Sequence, residues 1–164
     1  VLGRGYVAPS DRLVVAGIGA GGKGRSDIEN FFKSGKADIG FLCDVDDRQA
    51  VETRKKFPNA KYYKDFPEML AKEGKSIDAV SVSIPDHQHG VAAMAAMQLH
   101  KHVYVQKPMT HDIYEARMVT EAAHKYKVGT QMGNQGLCGD GGREGREGHN
   151  VGKNGSAHTH TSIS

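Results

Sequence analysis

The sequence predicts an α/β domain built on a doubly wound, mostly parallel sheet, and three observations carry that prediction. Short, nearly continuous apolar runs alternate with longer stretches whose apolar residues recur every three or four positions, the pattern of βαβ units. The first apolar run, Leu13-Val14-Val15-Ala16-Gly17, turns directly into Gly17-Ile18-Gly19-Ala20-Gly21-Gly22, a GxGxxG pattern that opens a helical stretch. The second run ends in an acid, Asp44, which lies 22 residues beyond Gly22. That is the distance at which such an acid meets the ligand held by the turn.

Taken in order, the helix after the glycine turn runs from about Gly22 to Ser34 and carries Ile28, Phe31 and Phe32. Ile39 to Asp44 reads as the second buried strand. Asp47 can cap the next helix, whose run from Arg48 to Phe57 stops at Pro58. A short segment at Tyr62 and Tyr63 precedes a small helix with Met69 and Leu70. Ile77 to Ile84 is the clearest strand, with Val80, Val82 and Ile84 alternating with small residues. Pro85-Asp86 then starts a helix through Val91, Met94, Ala95 and Leu99, with Asp86 as the N-cap, and the stripe of Met94, Met97 and Leu99 reads as core packing. Val103 to Val105 is a further strand. The helix after it places Ile113, Ala116, Val119, Ala123 and Tyr126 on one face, with Asp112 and Glu115 forming a capping box. Val128 to Met132 is the last strand, for a total of about six. Beyond Asn134 the composition shifts to glycine, histidine, serine and charge, with too little apolar surface to offset the entropy of ordering.

Bulk composition narrows the function classes. The chain has 164 residues, 38% hydrophobic and 25% charged, with a formal net charge of +3, enough for one domain with a substantial core. No basic stripe interleaved with aromatics argues for nucleic acid, and no apolar run reaches the length that spans a bilayer. Cys43 and Cys138 lack ligand or CxxC spacing, so two free thiols are expected and no metal site.

Each glycine of the turn has a physical role. Gly17 allows the tight bend, Gly19 lets a pyrophosphate approach the backbone, and Gly22 lets the helix pack closely on the strand. The free N–H groups at the helix start favour phosphate charge. Asp44 suits hydrogen bonds from the adenosine ribose hydroxyls and repels a 2′-phosphate, so NAD is the expected cofactor. Lys23, Arg25 and Arg48 are nearby cations that could tolerate that phosphate.

Two further segments stand at predicted strand ends: Pro85-Asp86-His87-Gln88-His89 and Gln106-Lys107-Pro108. With the glycine turn and Gly129-Thr130-Gln131-Met132-Gly133-Asn134-Gln135, they resemble the Gfo/Idh/MocA family. Its marks are a strand ending in Pro-x-x-x-His and a later one ending in Glu-Lys-Pro. The resemblance covers roughly residues 13–142. It implies a Rossmann fold that binds NAD, with Lys107 at the position of the catalytic lysine. Pro85, His87, His89, Gln106 and Asn134 then join Gly17, Gly19, Gly22 and Asp44 around the cofactor. For either histidine a satisfied structural role is an equally good reading, and Asn134 also suits a turn. Gln106 departs from the family's glutamate, which alters the local charge.

The resemblance further implies an oxidoreductase of a sugar, sugar derivative or cyclitol, whose second α/β domain is absent from this chain. Two alternatives stand beside it: an NAD-dependent glycosidase working by transient oxidation and elimination, and a non-catalytic NAD-binding module. The expected organisation is an N-terminal arm at residues 1–12, the NAD-binding domain at 13–135, and a polar tail at 136–164 that starts a truncated or altered second domain. The implied partner is a small carbohydrate or polyol, with homo-oligomers expected only of the full-length parent. Val1 to Ser10 resembles the stretch that follows an export signal in some bacterial branches. This implies a periplasmic bacterial protein, with a cytoplasmic location as the alternative.

Overall fold

The computed structural model describes residues 11–134, so the arm up to Ser10, Gln135 and the tail with Cys138 lie outside the described residues. The strands are β1 (Leu13–Ile18), β2 (Ala37–Cys43), β3 (Lys61–Tyr63), β4 (Ala79–Val82), β5 (His102–Gln106) and β6 (Thr130–Gly133). Between them run α1 (Gly22–Lys33), α2 (Asp47–Lys56), α3 (Phe66–Glu73), α4 (His89–Gln98) and α5 (Ile113–Tyr126). All neighbouring strands pair in parallel, in the order β3-β2-β1-β4-β5-β6. The chain therefore winds outward from β1 in one direction and, after β3, returns to wind outward through β4 in the other. The crevice of such a sheet opens between β1 and β4, at the carboxyl ends of the strands.

Both faces of the sheet are covered, which is why the strands read as apolar runs rather than as alternations. On one face Val15, Ile39 and Leu42 pack with Ile28 of α1 and Ala50 of α2. On the other, Ile18, Val80, Val82, Val103 and Val105 pack with Met69, Ala92, Ala93, Ala96, Met97 and Val119 from α3, α4 and α5. Among the described residues no helix is long and apolar enough to cross a membrane.

Several boundaries differ from expectation for local reasons. The α2 cap is Asp46, not Asp47: Asp46 has the extended backbone of an N-cap and its carboxylate accepts from Arg48 N, at 3.0 Å. Asp86 does not cap α4. It lies in a 3-10 turn, Asp86–Gln88, so the α-helix begins only at His89. The capping box of α5 is half formed: Asp112 accepts from Glu115 N at 2.8 Å, while the Glu115 carboxylate reaches past Asp112 to His111 N. Ile113 is 75% exposed, and α5 reaches the core through Val119 and Ala122, with Ala123 and Tyr126 partly buried against it. Met97 is buried as expected, but Leu99 is 42% exposed at the end of α4.

Candidate cofactor site

Strand register sets the site's level. Ile18 aligns with Cys43 and Val82, Val82 with Val105, and Gln106 with Gly133. Gly19, Asp44, Ser83, Lys107 and Asn134 each follow directly on a strand end. The sheet thus gathers the residues that the motifs single out along one edge.

The glycine turn is forced by contact. Gly19 has φ +88°, its N–H donates to Cys43 O at 2.8 Å, and a Cβ there would run into the Ser83 carbonyl oxygen. Only glycine adopts that backbone beside that carbonyl without strain. A Cβ on Gly17 would meet Ile28 of α1. Gly22 does not supply the expected close packing, since its φ is +48° and a Cβ there would meet nothing within 4 Å. The close approach of helix and turn belongs to Gly24, where a Cβ would strike the Gly19 carbonyl. Gly24 is legible in the sequence as the last glycine of the cluster, but the GxGxxG pattern ends before it.

Asp44 braces the same turn. Its Oδ2 accepts from Ala20 N (2.9 Å) and Gly21 N (3.1 Å), and its Oδ1 from Asp46 N (3.0 Å). The Tyr62 hydroxyl donates to the Asp44 carbonyl at 2.7 Å, and burial, with a hydrogen bond to Asp47, holds that phenol protonated well above its usual range. The α1 N-cap, Gly21, has no side-chain cap, and the first bond of the helix runs from Arg25 N to Gly21 O. The N–H groups of Gly22, Lys23 and Gly24 precede it and point out of the helix end. Of the three cations near the turn, Arg48 is held by Asp46 through two 3.0 Å contacts, which keeps that carboxyl below its ordinary range, and Lys23 is held by Asp27 at 2.6 Å.

On the other side of the crevice, Lys107 is exposed at the end of β5, in a cis Lys107–Pro108 peptide. His89 is buried, and its Nδ1 lies 2.6 Å from Pro108 O. Nδ1 therefore carries the proton and donates to that carbonyl, tying α4 to the turn that holds Lys107. Pro85 and His87 are exposed at the mouth, and Asn134 is half-buried beyond β6. Gln106 is buried, and its Nε2 donates to the buried Asp27 carboxylate of α1 at 2.6 Å. Asp27 and Ser83 are outside the residues that the motifs single out. Asp27 has a signal: Gly24, Asp27, Ile28 and Phe31 fall at i, i+3, i+4 and i+7, which puts a carboxylate on the inward stripe of α1.

This arrangement fits a dinucleotide. The turn is kept clear of side chains at Gly19, an uncapped helix end offers N–H donors to phosphate, and an acid stands at the end of β2.

Known proteins bear this out. A family model described as an oxidoreductase family with an NAD-binding Rossmann fold matches residues 12–134. The α-N-acetylgalactosaminidase of Shewanella oneidensis is 29% identical over 139 residues, 78% of this chain and 30% of that protein. The glucose-6-phosphate 3-dehydrogenase of Bacillus subtilis is 29% identical over 117 residues, 71% of this chain and 32% of that one. The crystal structure of GenD2 from gentamicin A biosynthesis, in complex with NAD, superposes with a TM-score of 0.73 at 26% identity, covering 84% of this chain and 38% of that chain. The chain spans about a third of the length of the curated relatives it matches. On its motifs, its sheet order and this match, the chain belongs to the Gfo/Idh/MocA oxidoreductase family, of which residues 12–134 form the NAD-binding Rossmann domain.

Proposed function

We propose that the chain is the nucleotide-binding half of an NAD-dependent oxidoreductase acting on the CH–OH group of a sugar, sugar derivative or cyclitol. The observation that carries this reading is the placement of the glycine turn and Asp44 on one side of the β1–β4 crevice and Lys107 on the other. Gly17, Gly19 and the α1 N-terminus receive the pyrophosphate, and Asp44 takes the adenosine ribose. Pro85, His87, Gln106 and Asn134 border the nicotinamide half, and His89 acts from behind by holding the Lys107 turn. When bound, NAD supplies a hydride acceptor. Lys107 would donate a hydrogen bond to the substrate oxygen and stabilise the alkoxide character that develops there as its proton departs. The hydroxyl proton departs to a base on the second domain of the longer protein, which also shapes the sugar pocket and carries the homo-oligomer contacts.

Calorimetric titration of the folded chain with NAD tests the first part. Saturable binding is expected, and none at millimolar NAD would sink the reading. The likeness to an α-N-acetylgalactosaminidase supports a second reading, in which the cofactor is reduced and reoxidised in each turnover. Net NADH formation from free sugars by the longer protein marks the dehydrogenase. Glycoside cleavage without net NADH marks the glycosidase.

A further inference from the structure

Gln106 stands where the family's mark has a glutamate, and the structure sets a buried carboxylate against it. Asp27, on the inward stripe of α1, is 4% exposed. Its Oδ2 accepts from Gln106 Nε2 (2.6 Å) and from the Ser83 hydroxyl (3.1 Å), and its Oδ1 accepts from Lys23 Nζ (2.6 Å). The acid is therefore on the helix and the amide on the strand, the reverse of a strand-borne carboxylate.

The pairing dictates how the amide sits. An ionised carboxylate only accepts, so Gln106 must turn its NH2 toward Asp27. The same nitrogen makes a longer 3.4 Å contact with the Tyr104 hydroxyl. Gly133 leaves room for both groups, since a Cβ there would come within 2.7 Å of Gln106 Nε2 and of the Tyr104 hydroxyl. With its nitrogen so engaged, the amide offers its carbonyl oxygen to a further partner. Ser83 is the residue whose carbonyl excludes a side chain at Gly19. One carboxylate thus joins the strand that bears the glycine turn's neighbour to the strand that bears Lys107.

We propose that Asp27 is a positioning residue of the cofactor site, fixing Gln106 so that its carbonyl oxygen accepts from a hydroxyl of the nicotinamide-side ribose. This rests on the NAD-binding reading above. It separates Asp27 from a plain buried ion pair, whose removal would alter stability alone.

The test titrates NAD calorimetrically into folded wild-type, D27N, Q106E and D27N/Q106E chains across the neutral pH range, with melting temperatures recorded at each pH. Wild-type affinity should be flat with pH. In Q106E two carboxylates share one buried site, so one takes up a proton and the affinity becomes pH-dependent. NAD should bind well at the acidic end and about tenfold or more weakly at the basic end, the cost of an unpaired buried charge. D27N should lose about tenfold at all pH values, because the Lys23 ammonium claims the amide oxygen and leaves the Asn NH2 group facing Gln106 Nε2, donor to donor. D27N/Q106E restores a donor–carboxylate pair and should recover affinity with a flat profile. A folded Q106E chain that binds NAD like the wild type at every pH overturns the proposal. Should Q106E alone fail to fold, the other two variants decide it: failure of the second substitution to recover the affinity lost in D27N overturns it equally. A wild-type chain that binds no NAD overturns the cofactor reading itself, and the two failures are thereby distinct.

Discussion

Asp44 and Gly21 are joined by a 3.1 Å hydrogen bond from the glycine's N–H to the acid's carboxylate, and Ala20 makes the same bond at 2.9 Å. The residue that would select the cofactor's ribose therefore also sets the shape of the loop that would take its phosphates. Substituting Asp44 removes both roles together. Asp44→Ser should lower the affinity for NAD and NADP alike, and should lower stability by about 1.5–3 kcal/mol, the range for hydrogen bonds to a charged group. NADP should lose less than NAD, because the repulsion of its 2′-phosphate disappears as well. If calorimetry gives an unchanged ratio of the two dissociation constants, Asp44 is a brace of the turn and nothing more.

The glycines give a sharper ordering than the motif suggests. Gly24→Ala drives a methyl group into the Gly19 carbonyl, a backbone atom that cannot rotate away. Gly22→Ala places its methyl in open space and meets only the penalty of a left-handed backbone, about 1–2 kcal/mol. Thermal melts should therefore show Gly24→Ala as the more damaging change. The reverse order would return the close-packing role to Gly22.

Why the turn is legible in the sequence and the Gly22 assignment is not has one physical cause. Sequence spacing records which residues lack a side chain, while the contact that demands the lack depends on the angle at which α1 leaves the turn. The doubly wound parallel sheet and the strand-end positions of Asp44 and Lys107 follow from alternating apolar runs, because period and connection length constrain topology strongly, while the strand order comes from the structure. The Asp27–Gln106 pair does not follow, since its partners lie 79 residues apart and meet only once β5 is laid beside β4. The Asp46 cap and the 3-10 turn at Asp86 are of the same kind. Several adjacent acids could cap, and the backbone angles at one of them decide which does.

Cys43 is buried at the end of β2, and its thiol is pushed up from 9.0 to about 12 by burial, with Asp44 and Asp65 adding like charge. In a Cys138→Ser background the native chain should resist a thiol-modifying reagent at neutral pH and react once unfolded in urea. The thiol's contribution to stability is complete below about pH 9, where neither state ionises it. That contribution falls as pH rises toward about 12, because the unfolded chain loses the proton first. Rapid modification of the native chain, at a rate matching that of the unfolded one, would show Cys43 to be accessible.

On the proposed function, His89 and Lys107 would separate positioning from chemistry, and the test belongs in an oxidoreductase that carries a substrate domain as well. His89→Ala removes the donor that holds Pro108 O and leaves a cavity under the turn. It should lower stability by about 2 kcal/mol or more, and turnover with it. Lys107→Ala should behave differently. Its side chain is exposed at the crevice, so the melting temperature should change little. NAD affinity should change only modestly, because on the proposed reading the first βα turn and Asp44 would hold the phosphates and adenosine ribose. Turnover should fall on the order of 100-fold or more, the loss expected on deleting a donor aimed at a developing oxyanion. Arginine should rescue poorly, since a planar fork does not replace a compact ammonium. A Lys107→Ala protein with near-normal turnover would return the residue to a solvated surface role. Joint loss of NAD binding and activity would make it a cofactor clamp.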